Sequence, residues 1–346
     1  MKSFDFEVAI IGGGSGGYAA ARTAATAGLK TVVIEGGEEV GGLCILRGCM
    51  PTKALLYASE VLHAARQSEV LGLKIPQTGF DLEKIMARKN AMIKDFADYR
   101  HGQLKSGKFQ FIRATAEFTD DHTLALDNGK KLTAKSFVIS TGSRTASSPL
   151  PALDQVGYLT SDEAVALKKL PRSLIVLGGG AVALEFAQFF SRLEVEITVI
   201  QRGEHLARDF DFDAGEEITS VFRRDNIKVF TGTQLINASQ SGKLKQISFQ
   251  HEGRVKTVDA EEILFALGRS ANTEKLNLEK AGVNQQKGRI VTNLEMQTSA
   301  PHIFAAGDCT GPNEIVHLAV QQGEIATHNI AHPAQPKKMD YRLLIS

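Results

Sequence analysis

One pattern is written twice along this chain, and few folds accommodate both copies. Val8–Glu35 reads VAIIGGGSGGYAAARTAATAGLKTVVIE, and Ile175–Gln201 reads IVLGGGAVALEFAQFFSRLEVEITVIQ. Each opens with a short continuous apolar run, as expected of a parallel strand buried on both faces. Each passes through a glycine cluster into a helical stretch of small and apolar residues, then reaches a second apolar run. The first glycine, Gly12 or Gly178, stands 23 residues before the end of that second run, at Glu35 or Gln201. The repeat therefore predicts two βαβ units, each founding a doubly wound domain. A length of 346 residues fits more than one hydrophobic core.

The parallel continues downstream. Residues 109–141 read as short alternating strands with a turn at Asp127-Asn128-Gly129, and residues 227–267 do the same with turns at Ser241-Gly242 and Glu252-Gly253. Each stretch ends in an apolar strand followed by glycine, Thr141-Gly142 and Leu267-Gly268. Ser147-Ser148-Pro149-Leu150-Pro151 reads as a linker. Lysine and arginine (40) nearly balance aspartate and glutamate (39), so nothing points to nucleic acid or an anionic membrane. No apolar stretch approaches the roughly eighteen residues needed to span a bilayer. Met1–Phe6 carries Lys2 and Asp5 and runs straight into a strand, unlike a signal peptide, so cytoplasmic residence is the default.

Gly12, Gly14 and Gly17 satisfy GxGxxG between a strand and a helix. The first glycine makes the tight turn, the second admits a pyrophosphate, and the third lets helix and strand pack closely. The helix N-terminus receives the negative charge. Glu35 stands where a carboxylate would accept a ribose hydroxyl. Read by itself the motif could be a flexible loop; with strand, helix and acid in place it predicts dinucleotide binding. Gly178, Gly180 and Ala183 repeat the fingerprint, with Gln201 in the acidic slot and Arg202 and Arg208 following. A carboxylate there would repel a 2′-phosphate and an arginine would pair with it, which favours NADPH over NADH. Against this, Glu204 dilutes the positive field, and both arginines could be merely solvated.

The chain has three cysteines, too few for a secreted disulfide framework. Cys44 and Cys49 lie five apart in GGLCILRGCMPTK, ahead of a helical run, where a helix N-terminus would stabilise a thiolate. Redox exchange and two buried reduced thiols are both compatible with the spacing. A zinc site would need two further ligands, and no His/Cys cluster lies nearby, so no metal is expected.

The cysteine segment resembles the GGTCxNxGCxPSK signature of the pyridine nucleotide–disulfide oxidoreductases, the family of glutathione reductase, dihydrolipoamide dehydrogenase and mercuric reductase. The resemblance covers the whole chain: the first fingerprint with Glu35, SFVISTGS, LIVLGGGAVALEFAQ, FALGRSANTEKL and IFAAGDC all have counterparts. It implies an α/β protein of two Rossmann-like domains, each a parallel sheet with an antiparallel meander. One binds FAD and is split (1–147 and 271–336); the other binds NAD(P)H and is inserted (148–270). Hydride would pass from NAD(P)H through FAD to a Cys44–Cys49 disulfide, and on to a disulfide or similar thiol-reactive acceptor. The resemblance makes Cys49 the thiol beside the flavin and Cys44 the exchange thiol. It places Lys53 near the flavin, ion-paired with Glu185, and Asp308 on the flavin's ribityl chain. It also assigns Gly42, Ala116, Thr141, Gly142 and Gly268 to the nucleotide sites. Cys309 is expected to be a buried filler.

Some positions depart from the family pattern. Leu43 and Leu46 stand where threonine and asparagine are common, which makes the dithiol surroundings more apolar. Ala181 replaces a tyrosine that gates the nicotinamide pocket in some members. The run AVALEFAQFFSRL followed by Gln201-Arg202 is similar to mercuric reductases. Family chains continue into a dimerisation domain bearing a His-x4-Glu pair; residues 337–346 read as the stub of that domain. The expectation is a homodimeric parent and a monomeric chain here, with a small-molecule or small disulfide substrate. Two rival readings stay open: a flavoprotein whose cysteines are idle, passing electrons to oxygen, quinone or a second nicotinamide, and a non-catalytic FAD-binding fragment.

Overall fold

The two apolar runs that open the duplicated pattern become the central strands of two separate parallel sheets. A computed structural model describes residues 3–311 and 313–342, and the chain divides into two units. The first comprises Met1–Leu46, Lys94–Arg144 and Arg269–Ser346, and the second Arg47–Ile93 and Thr145–Gly268.

In the first unit, strand Phe6–Ile11 lies parallel between Thr31–Glu35 and Lys131–Ile139. Gln110–Arg113 adds a parallel edge beyond Thr31–Glu35. It joins the main parallel sheet rather than the alternating stretch expected over residues 109–141, because its register partner is the adjoining parallel strand. The antiparallel portion is Ala116–Phe118, Thr123–Leu126 and the first half of Lys131–Ile139. The second half of that long strand pairs with Ile303–Ala305. Burial on both faces explains the unbroken apolar run. Val8 and Ile10 pack with Ala20, Ala21, Leu318 and Ile325 of the helices Ser15–Thr26 and Val316–Ala331, while Ala9 and Ile11 pack with Phe118, Phe137 and Leu278 on the other face.

The second unit repeats the logic. Strands run parallel in the order Lys228–Phe230, Glu196–Ile200, Ser173–Leu177, Glu262–Phe265. Leu174 and Val176 face Phe186 and Phe190 of helix Ala181–Arg192, and Ile175 and Leu177 face Ile247 and Phe249 of the antiparallel meander Gln234–Ser241, Leu244–His251, Arg254–Ala260. Gln201 lies one residue beyond its strand rather than ending it. The expected joins at 147/148 and 270/271 sit close to the observed ones at 144/145 and 268/269. Residues 47–93, expected in the first unit, group with the second instead. Helix Cys49–Arg66 packs on Ala181–Arg192 through Leu55, Leu62, Phe186 and Phe190, with an Arg192–Glu60 ion pair.

The helices Ser15–Thr26 and Val316–Ala331 touch backbone to backbone. A Cβ at Gly323 would stand 2.2 Å from the Gly16 carbonyl oxygen. Gly323→Val should therefore lower stability by about 1–3 kcal/mol through overpacking, read as a drop in thermal midpoint. An unchanged midpoint would refute this contact.

Candidate active site

In the first unit the chain turns sharply from strand Phe6–Ile11 into the helix that begins at Ser15. Gly12 adopts φ +105°, and a Cβ there would meet the Ser140 carbonyl oxygen at 2.2 Å. A Cβ at Gly17 would lie 1.8 Å from the Gly12 carbonyl oxygen, so the helix rests directly on the turn. Glu35 accepts the Gly13 N–H through Oε2 and the Gly37 N–H through Oε1, each at 2.7 Å. A carboxylate offers about four acceptor sites, so it keeps capacity for ribose hydroxyls. Gly42 comes up against Gly14. Thr141 Oγ1 is buried with no partner among the described residues. Asn272 fixes the same loop, donating through Nδ2 to the Thr141 carbonyl (3.2 Å) and through its N–H to that of Gly142 (2.9 Å). Ala116 lies buried on its short strand.

Asp308 accepts from Ser143 Oγ at 2.6 Å, and that oxygen accepts from Arg269 Nε at 2.7 Å. The fully buried Gln322 takes the neighbouring Gly307 N–H (2.7 Å) and donates to Tyr341 Oη (2.9 Å). Ser143 and Arg269 lie within the family-like segments SFVISTGS and FALGRSANTEKL, but nothing local marks Asp308 as the group they hold, and Gln322 carries no sequence signal of its own. A bare glycine cradle, an unpartnered buried hydroxyl and spare carboxylate lone pairs fit a dinucleotide such as FAD.

The second unit presents a sister cradle. Gly178 adopts φ +121°, and a Cβ there would meet the Ala266 carbonyl oxygen at 2.3 Å. Gly180 precedes helix Ala181–Arg192 with open space around it and no capping side chain, which leaves the first helical N–H groups for a phosphate. Ala183 is fully buried. Gln201 is buried beneath Gly179, while Arg202 and Glu204 are exposed and Arg208 lies 3.6 Å from Asp209. Gly268 adopts φ +120°. Lys53, on helix Cys49–Arg66, donates to Glu185 on helix Ala181–Arg192, an ion pair within the second unit.

Cys44 sits in the helical turn Leu43–Leu46 of the first unit; Cys49 is the first residue of helix Cys49–Arg66 in the second. Only Cys49 thus opens a helix long enough to carry a macrodipole, with no side-chain cap at Gly48. Both thiols are partly buried. Cys309 has no exposure, donates to the Ala306 and Ile139 carbonyls, and burial pushes its thiol up to about 11. Asp121, His122 and His302 bring potential ligand atoms within 4.8 Å of one another. His122 Nδ1 and His302 Nε2 are bound to the Ala134 and Asp121 carbonyls, and the rings stack at 4.1 Å.

A family model described as pyridine nucleotide-disulphide oxidoreductase matches residues 6–323. The chain belongs to this family. Membership implies FAD and a pyridine nucleotide as cofactors, and the cradles above fit both. A mercuric reductase of Staphylococcus aureus is 35% identical over 98% of this chain and 62% of its own length. A dihydrolipoyl dehydrogenase of Bacillus subtilis is 33% identical over 96% of this chain and 74% of its own length. The chain thus spans less than two thirds of the first of these relatives. An HOCl-induced flavoprotein disulfide reductase, RclA from Escherichia coli, has the same fold, with TM-score 0.84 at 24% identity, covering 96% of this chain and 72% of that one. Family members act on small molecules or disulfides and are often dimeric. Among the described residues, no helix is long and apolar enough to cross a membrane.

Proposed function

We propose that this protein is an NAD(P)H-dependent flavoprotein that reduces a small disulfide or thiol-reactive acceptor through Cys44 and Cys49. The observation that carries the reading is the two-thiol segment itself: one thiol on the first cradle's unit, the other at the uncapped start of an 18-residue helix. FAD held by the first cradle would supply two-electron chemistry between a nicotinamide and a disulfide. Glu35 and the Gly12–Gly17 turn bind the adenosine end, and Thr141, Gly142 and Asp308 line the rest. Ser143 and Arg269 hold Asp308 in place as an acceptor. Gly178, Gly180 and Ala183 seat the nicotinamide dinucleotide. The Glu185 carboxylate orients the Lys53 ammonium, whose positive charge would favour the electron-rich form of a flavin. Cys49 is the thiolate next to the flavin, and Cys44 exchanges with the acceptor. The names of the mercuric reductases and dihydrolipoyl dehydrogenases among the relatives suggest acceptors that two neighbouring thiols can bind or reduce. The cytoplasm is the compartment that keeps such thiols reduced. Anaerobic addition of two electrons to the FAD-loaded protein should produce two new titratable thiols. Direct bleaching of the flavin with no new thiols would overturn the reading.

NADPH is the proposed donor. Gln201 removes the carboxylate that would repel a 2′-phosphate, and Arg202 is exposed beside it. A charge-assisted contact is worth roughly 1.5–3 kcal/mol, so Arg202→Ala should weaken NADPH by about ten- to a hundredfold and leave NADH little changed. Arg208 contributes less, because Asp209 shares its charge. Flavin reduction rates with each donor measure this; equal or faster use of NADH by the unsubstituted protein would reject it.

A further inference from the structure

Near the end of helix Leu82–Leu104, Arg100 lies in a setting that the nucleotide sites do not explain. Its guanidinium carbon sits 4.1 Å from the centre of the Tyr18 ring. Tyr18 in turn donates to Gln103 Oε1 at 3.0 Å, one turn further along the same helix. Arg100 Nε and Nη1 are buried and have no hydrogen-bond partner among the described residues. The groups whose charge acts on it are Tyr18, Arg22, Cys44 and Tyr99, and none is a carboxylate. Arg22 is itself a cation, paired with Glu324 at 2.5 Å. Burial makes the guanidinium harder to keep charged. The ring face of Tyr18 offsets part of that, as aromatic faces do for cations.

Backbone contacts connect Tyr18 to the turn that carries Cys44. The Tyr18 N–H donates to the Gly14 carbonyl, Gly14 abuts Gly42, and Cys44 follows two residues later in the turn Leu43–Leu46. A desolvated cation with unfilled donors favours whatever anion can form beside it. The group here able to become anionic near neutrality is the Cys44 thiol, since the tyrosines ionise about 1.5 units higher.

We propose that Arg100 is a positioning residue for Cys44, holding its sulfur as the thiolate that exchanges with the acceptor. The proposal rests on the reading of Cys44 as the exchange thiol. Cys44 releases its proton to solvent, and the thiolate attacks one sulfur of the acceptor disulfide. A mixed disulfide forms as the acceptor's S–S bond breaks, and the departing thiolate takes a proton from water. The Cys49 thiolate then attacks the Cys44 sulfur, closing the Cys44–Cys49 bond and releasing the second half of the acceptor.

The test uses the FAD-loaded chain carrying Cys49→Ser, so that Cys44 is the one reactive thiol; Cys309 is buried and protonated. Iodoacetamide alkylation is followed against pH, with mass spectrometry to locate the label. The alkylation midpoint of Cys44 should lie below the ordinary value of about 8.5. Adding Arg100→Met should raise it by about one unit or more, slowing alkylation at pH 7 about tenfold, and Arg100→Lys should restore much of the rate. An unchanged pH profile in Arg100→Met, or no rescue by lysine, overturns the proposal. If Arg100→Met fails to fold, the profile of Cys49→Ser alone still decides, because a midpoint at or above about 8.5 is incompatible with a stabilised thiolate. Thiol appearance on two-electron reduction of the unsubstituted protein is measured separately. Its failure removes the exchange reading itself, whereas two new thiols with an unshifted Cys44 remove only the role of Arg100.

Discussion

Turnover of an aromatic disulfide by Cys44→Ser should fall about a thousandfold or more relative to the unsubstituted chain, while NADPH still reduces its flavin at an unchanged rate. The two halves of the reaction use different residues, and serine at 44 removes only the group that meets the acceptor. Cys49→Ser should lose turnover to the same degree, yet the two variants should differ in colour. In Cys44→Ser the remaining thiol opens helix Cys49–Arg66, where the macrodipole favours the thiolate. That variant should therefore show long-wavelength absorbance from a thiolate beside the flavin before any reductant is added. Cys49→Ser should not show it. Either variant keeping more than about a tenth of the turnover would mean that the thiols are idle.

Gly17→Ala should prevent stable folding of the first unit or empty it of FAD, whereas Ala183→Gly at the equivalent slot should be mild. The two fingerprints differ in this third position for a steric reason. At Gly17 a methyl group would fall 1.8 Å from a backbone oxygen that cannot move aside without dismantling the Gly12 turn. At position 183 a methyl group is already present and fully buried. Losing it costs about 1 kcal/mol in helix propensity plus a small cavity. Gly17→Ala should exceed the 1–3 kcal/mol typical of overpacking, with little flavin retained on purification. Thermal unfolding and flavin content measure both variants. A Gly17→Ala protein with full flavin and an unchanged midpoint would show that the helix does not rest on the turn.

The parts legible in the sequence were those where one short segment carries its own geometry. The strand–glycine–helix pattern is local, so both cradles and Glu35 could be read at once, as could the turns at Asp127-Asn128-Gly129 and Glu252-Gly253. The Lys53–Glu185 pair spans 132 residues, and only the family resemblance suggested it. Residues 47–93 group with the second unit, and the linker signals marked only where the chain crosses between units. They did not mark which core the apolar stripe of helix Cys49–Arg66 would enter. Leu55 and Leu62 look like any amphipathic helix positions until Phe186 and Phe190 stand opposite them. Gln322 and Arg100 were invisible because no local pattern marks their contacts, and Ser143 was legible only as the end of SFVISTGS, not as the donor to Asp308, 165 residues away.

The backbone contact between Gly16 and Gly323 also sets a timetable for synthesis. Everything the second unit needs has been made once the chain reaches Gly268, so its sheets can close while the remainder is still being translated. The first unit cannot follow suit, because its opening helix waits for a partner made some three hundred residues later. Through that interval the apolar face formed by Val8, Ile10, Ala20 and Ala21 has no cover from Leu318 and Ile325. Nascent chains stalled before Val316 should therefore bind holdase chaperones through their N-terminal segment, although the later-encoded unit is already folded.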